Sequence, residues 1–409
     1  MTSATEYLFT ASPTKHFRRL LLTCVIYTIA ACGGGGDDDD SGTSDNDNTQ
    51  VTTSIPDASL PLSPGKKWLY DFERNITSVC STCGVNTKNF IGEAILHVEG
   101  ETNWQGRQAW RIVRYELETN PGGDNAFAVE VEYLVQDSDG LERWYEGLTR
   151  WKRILSAHNR SFGGNTLLMT REPNSSSTTT LTRSSVTVPA GSYSAVRANA
   201  KYRKGFTSFA SVDHDEDHSE YYADGVGLVR STWDFWFDDN DPAALDVFET
   251  GTAALKAIDN GPFPELATDT EPNNTALLPQ ALSRDYAIVS GRVHIGDLGG
   301  IVFDNNVAQN INGQRKIEDW YRFDHPGGSF RLDMRSRAFA NNQFNDLDVY
   351  LFLRQLSGSL VYVNSSRKDP VTEGSSELIT DSLNAGTYFV GIQAWNTPTT
   401  ETEYWFIIR

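Results

Sequence analysis

Residues 126–135 have the sequence Ala-Phe-Ala-Val-Glu-Val-Glu-Tyr-Leu-Val, in which apolar side chains alternate with glutamates. Successive side chains of a β-strand point to opposite faces, so a period of two predicts a strand with one face buried and one in water. The same alternation recurs in the first half of the chain. It is present in residues 67–72, 91–98, 109–117, 143–145, 151–155 and 192–202.

Short stretches rich in Gly, Asn, Asp and Ser separate these runs, and no convincing long amphipathic helix pattern follows residue 60. Strands joined in sequence by short turns favour an antiparallel meander. We therefore predict an all-β protein whose first domain, residues 60–262, is a curved antiparallel sheet closed into a half-barrel or sandwich.

Three segments of this domain resemble elements shared by many uncharacterised bacterial exported proteins. They are Leu-Ser-Pro-Gly-Lys-Lys-Trp at 62–68, Val-Thr-Val-Pro-Ala-Gly-Ser-Tyr at 186–193 and Tyr-Tyr-Ala-Asp-Gly-Val-Gly-Leu-Val at 221–229. The resemblance implies a curved sheet like that of lipoprotein-carrier proteins, without an established activity. The residues alone indicate a turn at Pro189 and Gly191 and a tight bend at Gly225 and Gly227.

Five ordered motifs follow in the last part of the chain. They are Asp-Thr-Glu-Pro-Asn-Asn-Thr at 269–275, Gly-Arg-Val at 291–293, Glu-Asp-Trp-Tyr-Arg-Phe at 318–323, Asn-Asp-Leu-Asp-Val-Tyr-Leu at 345–351 and Ala-Gly-Thr-Tyr-Phe-Val at 385–390. In this order they resemble the bacterial pre-peptidase C-terminal (PPC) domain. The resemblance implies a jelly-roll-like β-sandwich over residues 263–409, like the collagen-binding domains of clostridial collagenases.

The PPC resemblance also implies candidate calcium ligands, because some relatives bind calcium through the acidic lead-in strand and the Asp-x-Asp positions. The candidates are Asp269, Glu271, Asn273, Asn274, Asp319, Asp346 and Asp348. The strand pattern puts Asp346 and Asp348 on one face and Leu347 on the other, toward the core. Calcium takes six to eight oxygen ligands of these types. The alternative is that the asparagines cap a turn and the aspartates accept backbone hydrogen bonds.

The N-terminus predicts export and lipid attachment. Lys15, Arg18 and Arg19 precede the apolar run 20–31, which is shorter than the roughly 20 residues of a membrane-spanning helix. The run ends in Ile29-Ala30-Ala31-Cys32, which resembles the lipobox of bacterial lipoproteins. The resemblance implies a signal peptide over residues 1–31 and a diacylglycerol on the Cys32 thiol.

Residues 32–59 are predicted to be a solvated tether. Positions 33–50 contain no apolar residue, so this segment cannot bury enough apolar surface to offset the entropy of ordering it. Gly33 stands where enterobacterial lipoproteins retained at the inner membrane carry Asp. By resemblance to that sorting rule, the cell outer membrane is the expected location.

Charge and cysteine usage agree with an exported protein. The chain carries a net charge of −19, and removing a leader that contains Lys15, Arg18, Arg19 and Glu6 leaves about −21. Such an acidic chain is a poor partner for nucleic acid or anionic lipid. Cys80 and Cys83 stand between β-rich runs, without the further ligands of a zinc site, and we predict a small structural disulfide.

No catalytic motif stands out in the sequence, which lacks HExxH, GxSxG and a Cys-His nucleophile pair. His214 and His218 form the best metal-like pair, but their acidic surroundings indicate a solvated loop. The interpretation is a non-enzymatic, lipid-anchored envelope protein, held to the membrane by its lipid and binding a protein or polysaccharide, with calcium as the only candidate cofactor. The alternatives are a hydrolase with an unrecognised site in residues 60–262 and a structural envelope component.

Overall fold

A computed structural model describes fourteen stretches of the chain. They are residues 60–80, 84–119, 126–137, 140–145, 150–156, 166–171, 178–204, 213–238, 246–273, 276–293, 319–338, 347–366, 376–394 and 401–409. The predicted signal peptide, Cys32 and the tether lie outside these residues, as do Cys83, Asn274 and Asp346. The predictions that rest on them stay predictions, including the disulfide, of which only Cys80, the last residue of a strand, falls within the described part.

Within the described residues, the first sheet contains twelve strands. They are β1 (Lys67–Cys80), β2 (Gly84–Trp104), β3 (Arg107–Thr119), β4 (Ala126–Asp137), β5 (Gly140–Tyr145), β6 (Arg150–Ser156), β7 (Thr166–Arg171), β8 (Thr178–Val188), β9 (Gly191–Lys204), β10 (Asp213–Ala223), β11 (Gly227–Asp238) and β12 (Asp246–Ile258). The sequence-predicted strand runs all fall inside them, and the all-β class is confirmed.

The strands form two meanders, β1 to β6 and β7 to β12, which join where β1 pairs with β12. Their order is β6-β5-β4-β3-β2-β1-β12-β11-β10-β9-β8-β7, so the first strand pairs with the last. Strands β6 and β7 are consecutive in sequence but form opposite edges of the sheet. The sheet is curled as an antiparallel half-barrel, as predicted.

The predicted bend at Gly225 and Gly227 is the turn between β10 and β11. Both glycines have positive φ, 66° and 97°, a conformation that side-chain-bearing residues rarely adopt. The indole N–H of Trp68, on β1, donates to the carbonyl of Val226 over 2.7 Å. The glycines therefore allow a turn that the opening strand then holds in place.

The last part of the chain forms two five-stranded sheets among the described residues. Their strands are β13 (Glu265–Thr268), β14 (Gln280–Ala281), β15 (Ala287–Val293), β16 (Asp319–His325), β17 (Gly328–Ala338), β18 (Leu347–Arg354), β19 (Leu360–Ser366), β20 (Ser376–Leu383), β21 (Gly386–Ala394) and β22 (Thr402–Ile408). One sheet has the order β13-β15-β22-β17-β20 and the other β14-β16-β21-β18-β19.

The two five-stranded sheets share one apolar core, so they form the predicted sandwich. Leu347, Val349 and Leu351 of β18 enter this core, as their alternation predicts, and meet residues such as Phe406 from the other sheet. The intervening Tyr350 is buried as well, in a second cluster with Trp320, Phe352 and Phe389. Both faces of β18 are therefore buried, whereas an alternating pattern predicts a strand with one face exposed to water.

The chain divides into two compact units. The larger unit contains residues 1–89, 96–114 and 131–256, and the other contains residues 90–95, 115–130 and 257–409. Among the described residues, no helix is long and apolar enough to cross a membrane.

Candidate functional site

Three carboxylates meet at one end of the sandwich. Asp269 follows β13, Glu271 lies two residues further on, and Asp319 is the first residue of β16. One oxygen from each lies within 4.8 Å of the others. Asp319 is buried, Asp269 is half-buried and Glu271 is exposed, so the group opens from the interior toward solvent.

Asn273 ties the loop that carries two of these carboxylates to the strand that carries the third. Its backbone N–H donates to Glu271 Oε2 over 3.1 Å, and its Nδ2 donates to Asp269 Oδ1 over 2.6 Å. Its carbonyl accepts a bond from the N–H of Trp320, next to Asp319. Asn273 is only 1% exposed, yet its Oδ1 has no hydrogen-bond donor among the described residues.

A buried acceptor without a donor is costly, and native proteins rarely leave one unsatisfied. The Oδ1 of Asn273 belongs to the amide whose Nδ2 donates to Asp269. Carboxylate and amide oxygens are the ligands that calcium prefers. The residues present therefore fit a calcium ion, which Asp269, Glu271, Asp319 and Asn273 would hold.

Two tyrosines reach the carboxylates from inside the sandwich. The Tyr321 hydroxyl donates to Asp269 Oδ1 over 2.8 Å, and the Tyr404 hydroxyl donates to Asp319 Oδ2 over 2.5 Å. The two hydroxyl oxygens are 2.5 Å apart. Burial, and then the negative charges of Asp319 and Asp269, raise the pKa of both tyrosines well above the usual range. Both phenols therefore stay protonated and able to donate.

Asp348 does not join this group. In the register of the sheet, Asp319 and Val349 both pair with Ile392, so Asp319 shares the core face with Val349. Asp348 precedes Val349 and must point to the opposite face, because neighbouring strand residues alternate. There Asp348 is 2% exposed and accepts a bond from the Tyr350 hydroxyl over 3.2 Å. Two members of the predicted set, Asp319 and Asp348, thus lie on opposite faces of one sheet.

The structure brings together four of the predicted candidates and adds residues that sequence reasoning missed. Tyr321 could have been inferred, because it stands two positions after Asp319 in the motif at 318–323, and residues two apart on a strand share a face. Tyr404 could not, since it reaches Asp319 from the other sheet across 85 positions of sequence.

The prediction that His214 and His218 lie in a loop is wrong. Both belong to β10, whose residues pair with β9 and β11 along its whole length. His218 Nε2 is 2.9 Å from Ser231 Oγ on β11. Among the described residues, the group with metal-ligand spacing is the carboxylate cluster, and it contains neither histidine.

A serine and a histidine at this distance are the first two parts of a nucleophilic triad. However, Ser231 lies within β11, which pairs with β10 on one side and β12 on the other. A strand paired on both sides uses its N–H groups in the ladders, so they do not form an oxyanion hole. The contact is better explained as an interstrand hydrogen bond.

The concave face of the half-barrel carries an ion network beside His218. Arg143 of β5 lies 3.1 Å from Glu132 of β4 and 3.0 Å from Glu220 of β10. The Tyr222 hydroxyl also donates to Glu220, over 2.8 Å. Burial alone would raise the pKa of Glu220, but the charges of Arg143 and His218 and these hydrogen bonds lower it to about 2. Glu220 is therefore ionised at physiological pH.

Comparison with known proteins gives only distant similarities. No protein-family model matches the chain, and no curated protein matches it. A protein described as exported, with a YmcC-like fold, from Bacteroides fragilis is 12% identical; the match covers 50% of this chain and 99% of that one, with a TM-score of 0.23. A protein described as a lipoprotein from Parabacteroides distasonis is 13% identical, with coverage of 50% and 100% and a TM-score of 0.21.

The pre-peptidase C-terminal domain of a collagenase from Bacillus anthracis is similar at 10% identity. That match covers 37% of this chain and 100% of that one, with a TM-score of 0.20. TM-scores of this size carry no argument about the function of this chain.

Proposed function

We propose that this protein is a lipid-anchored, non-catalytic binding protein of the cell envelope whose sandwich holds a calcium ion. The observation that carries the proposal is the buried Asn273 Oδ1, which has no donor in the part of the chain that the structure describes and belongs to an amide bonded to Asp269. Two further carboxylates lie within 4.8 Å of the one on Asp269. Calcium bound there would offset the mutual repulsion of the carboxylates and satisfy the amide oxygen.

The ligand set favours calcium over magnesium and zinc. All four side chains offer oxygen, whereas zinc sites in proteins usually include His or Cys. Magnesium requires near-ideal octahedral geometry and keeps several of its waters. Calcium tolerates an irregular set completed by water, which suits a site built from one loop and one strand end.

The proposed location rests on the N-terminal sequence. The basic cluster, short apolar run and Cys32 support lipid attachment, and Gly33 favours the outer membrane. The acidic composition of residues 33–50, which include no apolar residue, favours a tether that would let the folded part move away from the membrane surface. We propose that the sandwich, which resembles PPC domains in its motifs, contacts a protein or polysaccharide of the envelope and that calcium fixes the loop that makes this contact.

Calcium titration of the purified full-length protein tests the ion. A ligand that binds only the folded state raises stability by about 2.7 kcal/mol when present at 100 times its dissociation constant. We expect a higher melting temperature in millimolar calcium than in a chelator, and a smaller shift with magnesium. The site variant is Glu271→Gln, which changes an exposed candidate ligand without disturbing the core and should show a smaller shift in calcium than the wild-type protein. An unchanged melting temperature in calcium would remove the ion from the proposal.

A partner experiment tests the binding role. Immobilised full-length protein is incubated with detergent-solubilised envelope extract and with purified envelope polysaccharide, in calcium or in chelator. The proposal predicts retention that depends on calcium and is weaker for Glu271→Gln. If the wild-type protein and Glu271→Gln retain the same amount of material, both in calcium and in chelator, this site has no role in binding.

A further inference from the structure

The two carboxylates at the centre of the candidate calcium site are each held by a tyrosine from the opposite sheet. Asp319 opens β16, in the sheet that contains Tyr321, but its hydrogen bond comes from Tyr404 on β22. Asp269 follows β13, in the sheet that contains Tyr404, but besides the bond from Asn273 it accepts one from Tyr321 of the opposite sheet. The bonds from the tyrosines therefore cross the interior of the sandwich.

Each tyrosine controls the direction of one carboxylate. The hydroxyl binds one oxygen of the carboxylate and so restricts rotation of that group about its last bond. The two hydroxyl oxygens are 2.5 Å apart, so a displacement of either phenol would also displace the other. Both rings are fully buried in the packed core, so they have little freedom to move.

We propose that Tyr321 and Tyr404 are positioning residues of the calcium site, which hold Asp269 and Asp319 at the separation and orientation that the ion requires. This inference rests on the proposed function. In metal sites, groups that orient the ligands typically change affinity by about 10-fold to 100-fold when they are removed.

The position of the Tyr404 ring also requires glycine at residue 291. It lies directly opposite Tyr404 on the neighbouring strand β15. A Cβ at this position would lie 2.3 Å from the Cζ and hydroxyl oxygen of Tyr404, far closer than van der Waals contact. Any side chain at residue 291 would therefore displace the phenol from Asp319. This explains in physical terms why a glycine stands in the Gly-x-Val motif of this sequence.

The test compares conservative variants of the full-length protein by calcium titration calorimetry. Tyr404→Phe and Tyr321→Phe each remove one hydroxyl and keep the ring, and Gly291→Ala displaces the Tyr404 ring. Tyr388→Phe is the matched control, since Tyr388 is buried in the same core but donates to the backbone carbonyl of Asn384. Melting in chelator shows that each variant is folded.

We expect the dissociation constant for calcium to rise about 10-fold or more in Tyr404→Phe, Tyr321→Phe and Gly291→Ala, and to stay unchanged in Tyr388→Phe. If the wild-type protein binds calcium and all four variants bind it equally well, the positioning role is wrong and the calcium site stands. If Tyr388→Phe weakens binding as much as the others, the effect is general loss of packing and the positioning role is wrong. If the wild-type protein binds no calcium, both proposals fall.

Discussion

Arg143 and Glu220 form an ion pair of 3.0 Å although six strands separate β5 from β10 in the sheet. Side chains so distant along a sheet meet only if the sheet curls and both lie on its concave face. The pair is well shielded from water, and Glu132 shares the same guanidinium. This network closes the half-barrel across its concave face.

Removing the charge of Arg143 should cost more unfolding free energy than removing the charge of Glu220. Arg143→Met leaves the buried Glu220 and the half-buried Glu132 without this guanidinium between them, and we expect it to cost about 3–5 kcal/mol of unfolding free energy. Glu220→Gln should cost only about 1–3 kcal/mol, because Arg143 keeps Glu132 as a partner. Urea denaturation of the two variants measures the difference. Equal losses would show that the cross-sheet pair does not anchor the network.

Calcium binding can distinguish the two faces of the sheet that contains β16 and β18. Asp319→Asn should lower the affinity for calcium by about 10-fold or more, because it removes a charged ligand. Asp348→Asn should leave the affinity unchanged, because Asp348 lies on the other face. Titration calorimetry of both variants makes the comparison. A large loss of affinity in Asp348→Asn would contradict the division of the predicted ligand set.

Gly251 is required by the position of Trp233 on the adjacent strand. A Cβ at residue 251 would lie 2.1 Å from the indole ring, whose N–H donates to Glu249 over 2.9 Å. Gly251→Ala should therefore cost about 1–3 kcal/mol. In a Trp233→Leu background the same change should be neutral or stabilising, because Ala is favoured over Gly in a strand. A double-mutant cycle by denaturation measures this coupling, and additive effects would refute it.

His97 should make the protein less stable in mild acid. Burial, and then the charge of Lys67, lower the pKa of His97 from 6.5 to about 4 in the folded protein. Between these values the unfolded chain binds a proton that the folded chain does not, so stability falls as the pH falls, by at most about 1.4 kcal/mol per pH unit. Denaturation between pH 7 and pH 4 should show a shallower decline in His97→Gln. Parallel profiles would show that His97 is not the source.

Lipid attachment at Cys32 is the prediction that concerns the N-terminal segment. Cys32→Ser removes the thiol that would carry the diacylglycerol, so the protein should move from the membrane to the soluble fraction of the cells that express it. Fractionation with a blot for the protein measures this. Cys80→Ser is the control, since it also removes a cysteine but leaves the lipobox intact. An unchanged membrane fraction for Cys32→Ser would show that another feature holds the protein there.

The sequence by itself determined the elements of this protein. The alternation in residues 126–135 is a property of the pleated backbone, which depends only on neighbours in the chain, and it predicted β4 correctly. Glycines such as Gly225 mark turns for an equally local reason. The candidate ligands Asp269 and Glu271 are also close in sequence, so a short motif was enough to suggest them.

Only the tertiary structure decided which side chains meet. The pairing of β16 with β21 places Asp319 on the core face, and the packing of the two sheets brings Tyr404 to it. The curl of the first sheet brings Arg143 to Glu220. These contacts depend on strand order, register and curvature, which arise from interactions between distant segments. A local pattern contains no information about them, and for this reason the sequence placed Asp348 with the wrong partners and could not find Tyr404.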